Sequence, residues 1–256
     1  MSTSPLRTRQ TSPFSLSRPK GEDSVKLIFI SCEGAVTEEI YFGDIISQML
    51  NNTRSKIKIA SARADFFSSV PVQRTQIDID EQNKSTPRQV MERLDNYLSR
   101  HKYWDSVKNP DDEFWLILDI DDHTSIHKID EWNKVLTEAK TKNYQYAVSN
   151  PFFEFGLLLH HVDVTDEDRT YAVTATQDYQ KTKHFTKRLK DDAHAPLIGS
   201  GSDKKIPKSE DYTMQKIKDA IERAKKLHTD PNELWPHNLG STVYILLEKI
   251  IGLLPE

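Results

Sequence analysis

A chain of 256 residues, 36% apolar and 29% charged, can bury one sizeable core beneath a very polar surface. A net charge of −4 argues against a protein that wraps nucleic acid by overall positive charge. No apolar run reaches the roughly 18 residues that span a bilayer. The single cysteine, Cys32, rules out an internal disulfide. With no apolar secretory stretch near Met1, a cytoplasmic protein is expected.

Residues 1–24 read as a disordered tail, rich in Ser, Thr, Pro and Arg and nearly empty of aliphatics. Val25 to Ser31 alternates few polar groups into an apolar run and predicts a buried strand. Gly34 supplies a turn, and Thr37 is the expected N-cap of a helix reaching about Leu50, with Glu38 and Glu39 in its first turn. Ile57 to Ala60 predicts a short second strand. The polar span from Arg63 to Ser85 carries a candidate extra strand at Thr75 to Ile79. Thr86-Pro87 opens a helix with Val90, Leu94, Tyr97 and Leu98 on one face. Phe114 to Leu118 is the third core strand, Ser125 the expected cap of the next helix, and Tyr144 to Val148 the fourth strand. Asn150-Pro151 then starts a nearly all-apolar helix through Leu159.

This alternation predicts an α/β domain over residues 25–164, a parallel sheet flanked by helices. Residues 165–256 read as a helical, basic C-terminal part packing on that core. Helices are expected over Tyr179 to Leu189, Asp211 to Leu227 and Val243 to Leu254, with a loop from Asp192 to Pro207. Charge is uneven along the chain. From Thr176 to His228 there are 13 Lys and Arg against 8 Asp and Glu, so the rest is more acidic than the total suggests.

Two acidic stretches follow two of the apolar strands: Glu33-Gly34-Ala35-Val36-Thr37-Glu38 and Asp119-Ile120-Asp121-Asp122-His123. In a parallel α/β sheet, sites lie beyond the carboxyl ends of the strands, where Glu33, Asp119, Asp121 and Asn150 fall. Residues two apart at a strand end point the same way, so Asp119 and Asp121 can face Glu33. Carboxylates brought together repel, and Mg²⁺ or Mn²⁺ removes that cost while polarising a phosphoryl oxygen. Glu33, Asp119, Asp121 and Asp122 are the candidate metal ligands. Glu38 is either a second acid of the site or a first-turn residue opposing the helix dipole, and Asp122 either a ligand or a cap. Glu154, an acid among apolar neighbours, either reaches the site or pairs with a core cation. His123 either orients a water or leaving group or is a loop histidine.

The basic stretch containing Lys181, Lys183, Lys187 and Arg188, with Tyr179 and His184, suits a phosphate backbone but also suits a solvated helix face. No Gly-x-x-x-x-Gly-Lys-Ser/Thr loop, serine or cysteine triad, or zinc spacing occurs.

Three segments together carry a family resemblance. They are Cys32 to Phe42 (Cys-Glu-Gly-Ala-Val-Thr-Glu-Glu-Ile-Tyr-Phe), Leu118 to His123 (Leu-Asp-Ile-Asp-Asp-His) and Ser149 to His160 (Ser-Asn-Pro-Phe-Phe-Glu-Phe-Gly-Leu-Leu-Leu-His). Tyr179-Gln-Lys and Ser241-Thr-Val-Tyr add weaker matches. The chain resembles the RloB-like proteins, a branch of the Toprim superfamily. The resemblance implies a Toprim-like fold, with Glu33 as the general acid/base or metal-binding glutamate and Asp119 and Asp121 as the metal pair. Similarity to overcoming-lysogenisation-defect nucleases implies a second glutamate, mapping to Glu38, although the spacing here is one residue longer. Where many relatives have a Gly-rich stretch after the second strand, this chain has Ser61-Ala62-Arg63-Ala64-Asp65.

The function expected on these grounds is a Mg²⁺- or Mn²⁺-dependent nuclease acting on nucleic acid, RNA (tRNA) ahead of DNA, in anti-phage defence and abortive infection. A partner ATPase or another protein of the defence locus is an expected associate. The alternative is a non-catalytic metal- and nucleotide-binding module working with a partner nuclease.

Overall fold

A computed structural model describes residues 26–34, 36–52, 57–61, 86–100, 110–120, 126–174, 178–198, 206–228, 230, 233 and 235–252. Strand β1 (Lys26–Cys32) leads through the Glu33-Gly34 turn into α1 (Thr37–Ile40), a π-helical segment (Tyr41–Ile46) and α2 (Ser47–Asn52). The expected Thr37 cap is not formed. Thr37 is the first helical residue, and Val36 precedes it without a side-chain cap bond. The wider π winding lets the adjacent pairs Tyr41/Phe42 and Ile45/Ile46 all bury on one side.

Strand β2 (Ile57–Ser61) and helix α3 (Pro87–Arg100) follow, then β3 (Glu113–Asp119), α4 (Ile126–Thr141) and β4 (Gln145–Asn150). The candidate strand at 75–79 and the cap at Ser125 lie outside the described residues. The apolar helix after β4 is a short one, α5 (Phe153–Leu158), which starts only at Phe153 because Phe152 is still extended. Then come α6 (Asp166–Thr174), not anticipated from sequence, α7 (Asp178–Asp191), α8 (Met214–Leu227), β5 (Gly240–Ser241) and α9 (Val243–Gly252). Helix α8 starts later than Asp211 because Thr213 caps it, its hydroxyl accepting from the Lys216 amide.

The sheet order is β2-β1-β3-β4-β5. The first four strands run parallel, and β5 closes one edge antiparallel, pairing Ser149 with Ser241 and Asn150 with Gly240. This mostly parallel sheet flanked by helices is the expected α/β architecture and is consistent with a Toprim-like fold. Alternation splits the core in two. Ile28, Ile30, Trp115, Ile117 and Ala147 face the π segment, α5 and the C-terminal helices, with Phe185, Tyr212, Ile217 and Leu246 in the same cluster. Phe29, Phe114, Leu116, Leu118 and Val148 face α3 and α4 through Val90, Leu94, Val135 and Leu136. Among the described residues, no helix is long and apolar enough to cross a membrane.

Candidate functional site

The register fixes the site before any side chain is considered. Cys32 pairs with Ile117 and Asp119 with Ser149, so β3 and β4 end side by side and β1 stops two residues short of the end of β3. The ladder continues one step past β1, where the Glu33 amide donates to the Ile117 carbonyl at 2.9 Å. Glu33 is thereby held beside the end of β3, and its Oε2 accepts the Asp119 amide at 3.0 Å. The two residues singled out from separate stretches thus share a direct contact.

Glu38 joins them through the turn. Its Oε1 accepts the Gly34 amide at 3.0 Å, and the residue is only 4% exposed. A Cβ on Gly34 would lie 2.0 Å from the Glu38 carboxylate, so only glycine lets that acid fold back over the turn. Glu38 is therefore a first-turn residue of α1, as one of its two expected readings had it, but a buried one that folds back onto the Glu33-Gly34 turn. Glu154 lies half-buried in the first turn of α5, the helix that leaves the end of β4. Its neighbour Phe153 packs edge-on against Tyr41 of the π segment, with ring centroids 5.5 Å apart. Asp121, Asp122 and His123 lie outside the described residues.

Three features of this edge escaped the sequence reading. Arg93 of α3, the helix that packs on β1, donates from Nη2 to the Cys32 carbonyl at 2.7 Å, which places a guanidinium next to the Glu33 turn. Its signal was an arginine beside the apolar stripe of Val90, Leu94 and Tyr97. The second is the C-terminal turn Trp235 to Gly240, which closes over the end of β4. Asn150 Nδ2 donates to the Pro236 carbonyl at 2.9 Å. Its signal was the turn-forming run Pro236-His237-Asn238-Leu239-Gly240. The third is a pair of hydroxyls, Ser149 and Ser241, 3.1 Å apart beneath that turn.

The basic stretch divides. Lys183, Lys187 and Lys190 are exposed on α7 at helical spacing and have no ion pair among the described residues, while Lys181 is half-buried. Arg188 is a correction to the group expected to bind phosphate. Its guanidinium is held by the fully buried Asp168 and by Asp192, the latter at 2.7 Å, so it anchors α7 to α6. His184 belongs to the same anchor, with Nε2 2.7 Å from Asp168 and its ring stacked on Tyr171.

His160 is equally committed. Nδ1 lies 3.0 Å from the Gly156 carbonyl, which only accepts, so Nδ1 carries the proton and Nε2 accepts from the Tyr41 hydroxyl at 2.7 Å. Burial pushes the His160 imidazole down to about 3, and His161 down to about 4. Burial also raises the Tyr41 phenol.

The donors gathered at the carboxyl edge are hard oxygens, which suit a divalent cation such as Mg²⁺ or Mn²⁺. Among the described residues, no three His, Cys, Asp or Glu stand close enough to hold one, and Asp121 and Asp122 would have to complete the set.

The fold and this edge define an α/β protein with an acidic site at the ends of parallel strands. The family model described as RloB-like protein matches residues 28–250, and the chain belongs to that family. No curated protein and no solved structure matches the chain significantly.

Proposed function

We propose that this RloB-like protein is a metal-dependent nuclease that hydrolyses phosphodiester bonds, RNA and tRNA ahead of DNA, in anti-phage defence. The observation that carries the reading is the contact between Glu33 and the Asp119 amide, which unites two acidic stretches at one strand edge. A bound Mg²⁺ or Mn²⁺ would polarise the phosphoryl oxygen and lower the pKa of an attacking water. Glu33 and Asp119, with Asp121 and Asp122, are the residues that would hold it. Glu38 fixes the Glu33 turn, and Arg93 sets a positive charge beside it, suited to a phosphate oxygen. Glu154 and His123 are the candidates for handling the water and the leaving group. The exposed lysines of α7 supply a cationic strip, from Lys183 to Lys190 about 10 Å long at 1.5 Å per residue. That strip supports nucleic acid over a small phosphoester.

The test is incubation of purified protein with total tRNA, single-stranded RNA and plasmid DNA, with Mn²⁺ or with EDTA. Wild type is expected to cleave RNA in Mn²⁺ and to stop in EDTA. Glu33→Gln is expected to lose more than the roughly 100-fold typical of removing an outer-shell partner of a metal ligand. Equal cleavage by wild type and Glu33→Gln would refute the assignment.

A further inference from the structure

The carboxyl edge has a wall contributed by the far end of the chain. Counting along the sheet from Asp119, Ser149 is its partner and Ser241 is the next. At about 4.8 Å per strand, β5 begins roughly 10 Å from Asp119. The turn that precedes β5 is fixed at both ends. Asn150 Nδ2 holds the Pro236 carbonyl, and Gly240 pairs with Asn150 in the ladder. The turn is also closed on itself, since a Cβ on Gly240 would lie 2.9 Å from the Pro236 side chain. Behind it, Trp235 packs on the buried Trp132 of α4, with ring centroids 5.8 Å apart. In front, His237 and Asn238 are both exposed at the tip, and the His237 ring stands edge-on to Trp235 at 5.9 Å.

An exposed aromatic ring and an exposed amide, on a turn pinned to the end of the site's own strand, are the parts of a base-recognition element. Rings stack on nucleobases of any identity, and an asparagine side chain pairs with base edges. Lysines that meet only the phosphate backbone, as the exposed α7 lysines would on the reading above, cannot choose between bases. Resting on the nuclease reading above, we propose that the Trp235–Asn238 turn docks an unstacked nucleobase next to the phosphate at the acidic edge. In this proposal His237 stacks on the base and Asn238 reads its edge. The ligand class is single-stranded nucleic acid with splayed bases, not duplex. Because the turn is already fixed, little ordering is required of it when the base arrives.

The experiment is fluorescence anisotropy of labelled 12-nucleotide single strands, and of the matching duplex, in Ca²⁺, alongside cleavage in Mn²⁺. The proteins are wild type, Glu33→Gln, His237→Ala, His237→Phe and Asn238→Ala. His237→Ala is expected to weaken single-strand binding by about tenfold, the scale of one lost base stack. His237→Phe should restore most of it. The slope of affinity against salt should not change, because no phosphate contact is removed. Asn238→Ala should flatten the preference among A, C and U oligomers. Binding of His237→Ala equal to wild type, a loss that Phe does not rescue, a lowered salt slope, or preference for duplex would each overturn the proposal. If wild type cleaves, Glu33→Gln does not, and His237→Ala matches wild type in both assays, the nuclease reading stands and the base site falls. If Glu33→Gln cleaves like wild type, the nuclease reading falls. The base site is then judged on binding alone, and a wild type that binds no single strand overturns it.

Discussion

One face of the sheet is covered by α3 and α4, helices that lie between its own strands in sequence. The other is covered in large part by α7, α8 and α9, which arrive from the far end of the chain, and the two are held differently. Beneath α3 and α4 the core is apolar but for the buried Ser31 hydroxyl, which donates to the Val90 carbonyl at 2.8 Å, and most of its other polar contacts run along the rim, such as Lys142 with Asp95 and Arg88 with Glu138. The opposite face contains buried polar pins: Tyr41 with His160, Asp168 with Arg188 and His184, and Ser149 with Ser241. Hydrophobic burial has no direction, so it cannot by itself set how a distant helix docks. A buried hydrogen bond or ion pair can, because misplacement leaves it unsatisfied. Helix α4 needs less of this, since its short connections to β3 and β4 already limit where it lies, whereas α3, with longer connections, takes one such bond from Ser31. The consequence for function is direct, because the distant segments also deliver β5 and the Trp235 turn to the site edge.

The largest effect expected from this contrast is at Asp168. It is fully buried, accepts the Thr165 amide at 2.8 Å, and meets both Arg188 and His184. Asp168→Asn keeps the shape and removes the charge, leaving a mostly buried guanidinium without its main counter-ion. Breaking a buried pair in this way costs about 3–5 kcal/mol. Urea unfolding should show the loss as a lower midpoint. A change under about 1 kcal/mol would mean that α6 and α7 are not pinned through this carboxylate.

The next effect is in pH dependence. His160 is neutral in the folded protein, held down to about 3 by burial, against an ordinary value of 6.5. The unfolded chain therefore binds a proton that the folded chain refuses. Stability from this residue is complete above about pH 6.5 and is lost as pH falls from there toward 3. His161, held down to about 4 by burial, acts in the same direction. His160→Gln should lower stability at neutral pH through the lost Tyr41 contact, but it should flatten the fall between about pH 7 and about pH 4.5. Urea midpoints for both proteins at the two pH values check this, and an unchanged slope would contradict the buried neutral imidazole.

How much of this was legible in the sequence divides along the same line. Strands β1, β3 and β4 and helices α3 and α4 were readable because each is a local pattern, an apolar run or a 3.6-residue stripe. Glu33 and Asp119 were readable because each follows such a run. The sheet order that puts them in contact depends on pairing between strands, which no local pattern encodes. Helix α6 was missed because its one buried residue is an aspartate, so it carries no apolar stripe to find. Arg188 was misassigned for a related reason. A basic residue in a basic stretch reads as a phosphate ligand until Asp168, 20 residues earlier, is brought beside it. The Trp235–Gly240 turn was visible as a turn, but its place at the end of β4 is a tertiary fact.

The smallest expected effect is the control on the locally closed face. Asp95 joins α3 to the start of β4 by accepting from Lys142 at 2.7 Å and from the Tyr144 hydroxyl at 2.8 Å. On paper this resembles the Asp168 anchor, one carboxylate between a cation and a ring. The difference is solvent. The Asp95 and Lys142 side chains are each 34% exposed, whereas Asp168 is 0% exposed. At the rim, water replaces whatever the protein withdraws, and Lys142 keeps Glu138 at 3.0 Å as a second partner. Asp95→Asn should therefore cost no more than about 1 kcal/mol in urea unfolding, the range of an exposed pair. If it costs as much as Asp168→Asn, the two faces are held alike, and the distinction between a face closed by tethered helices and one pinned by buried polar groups fails.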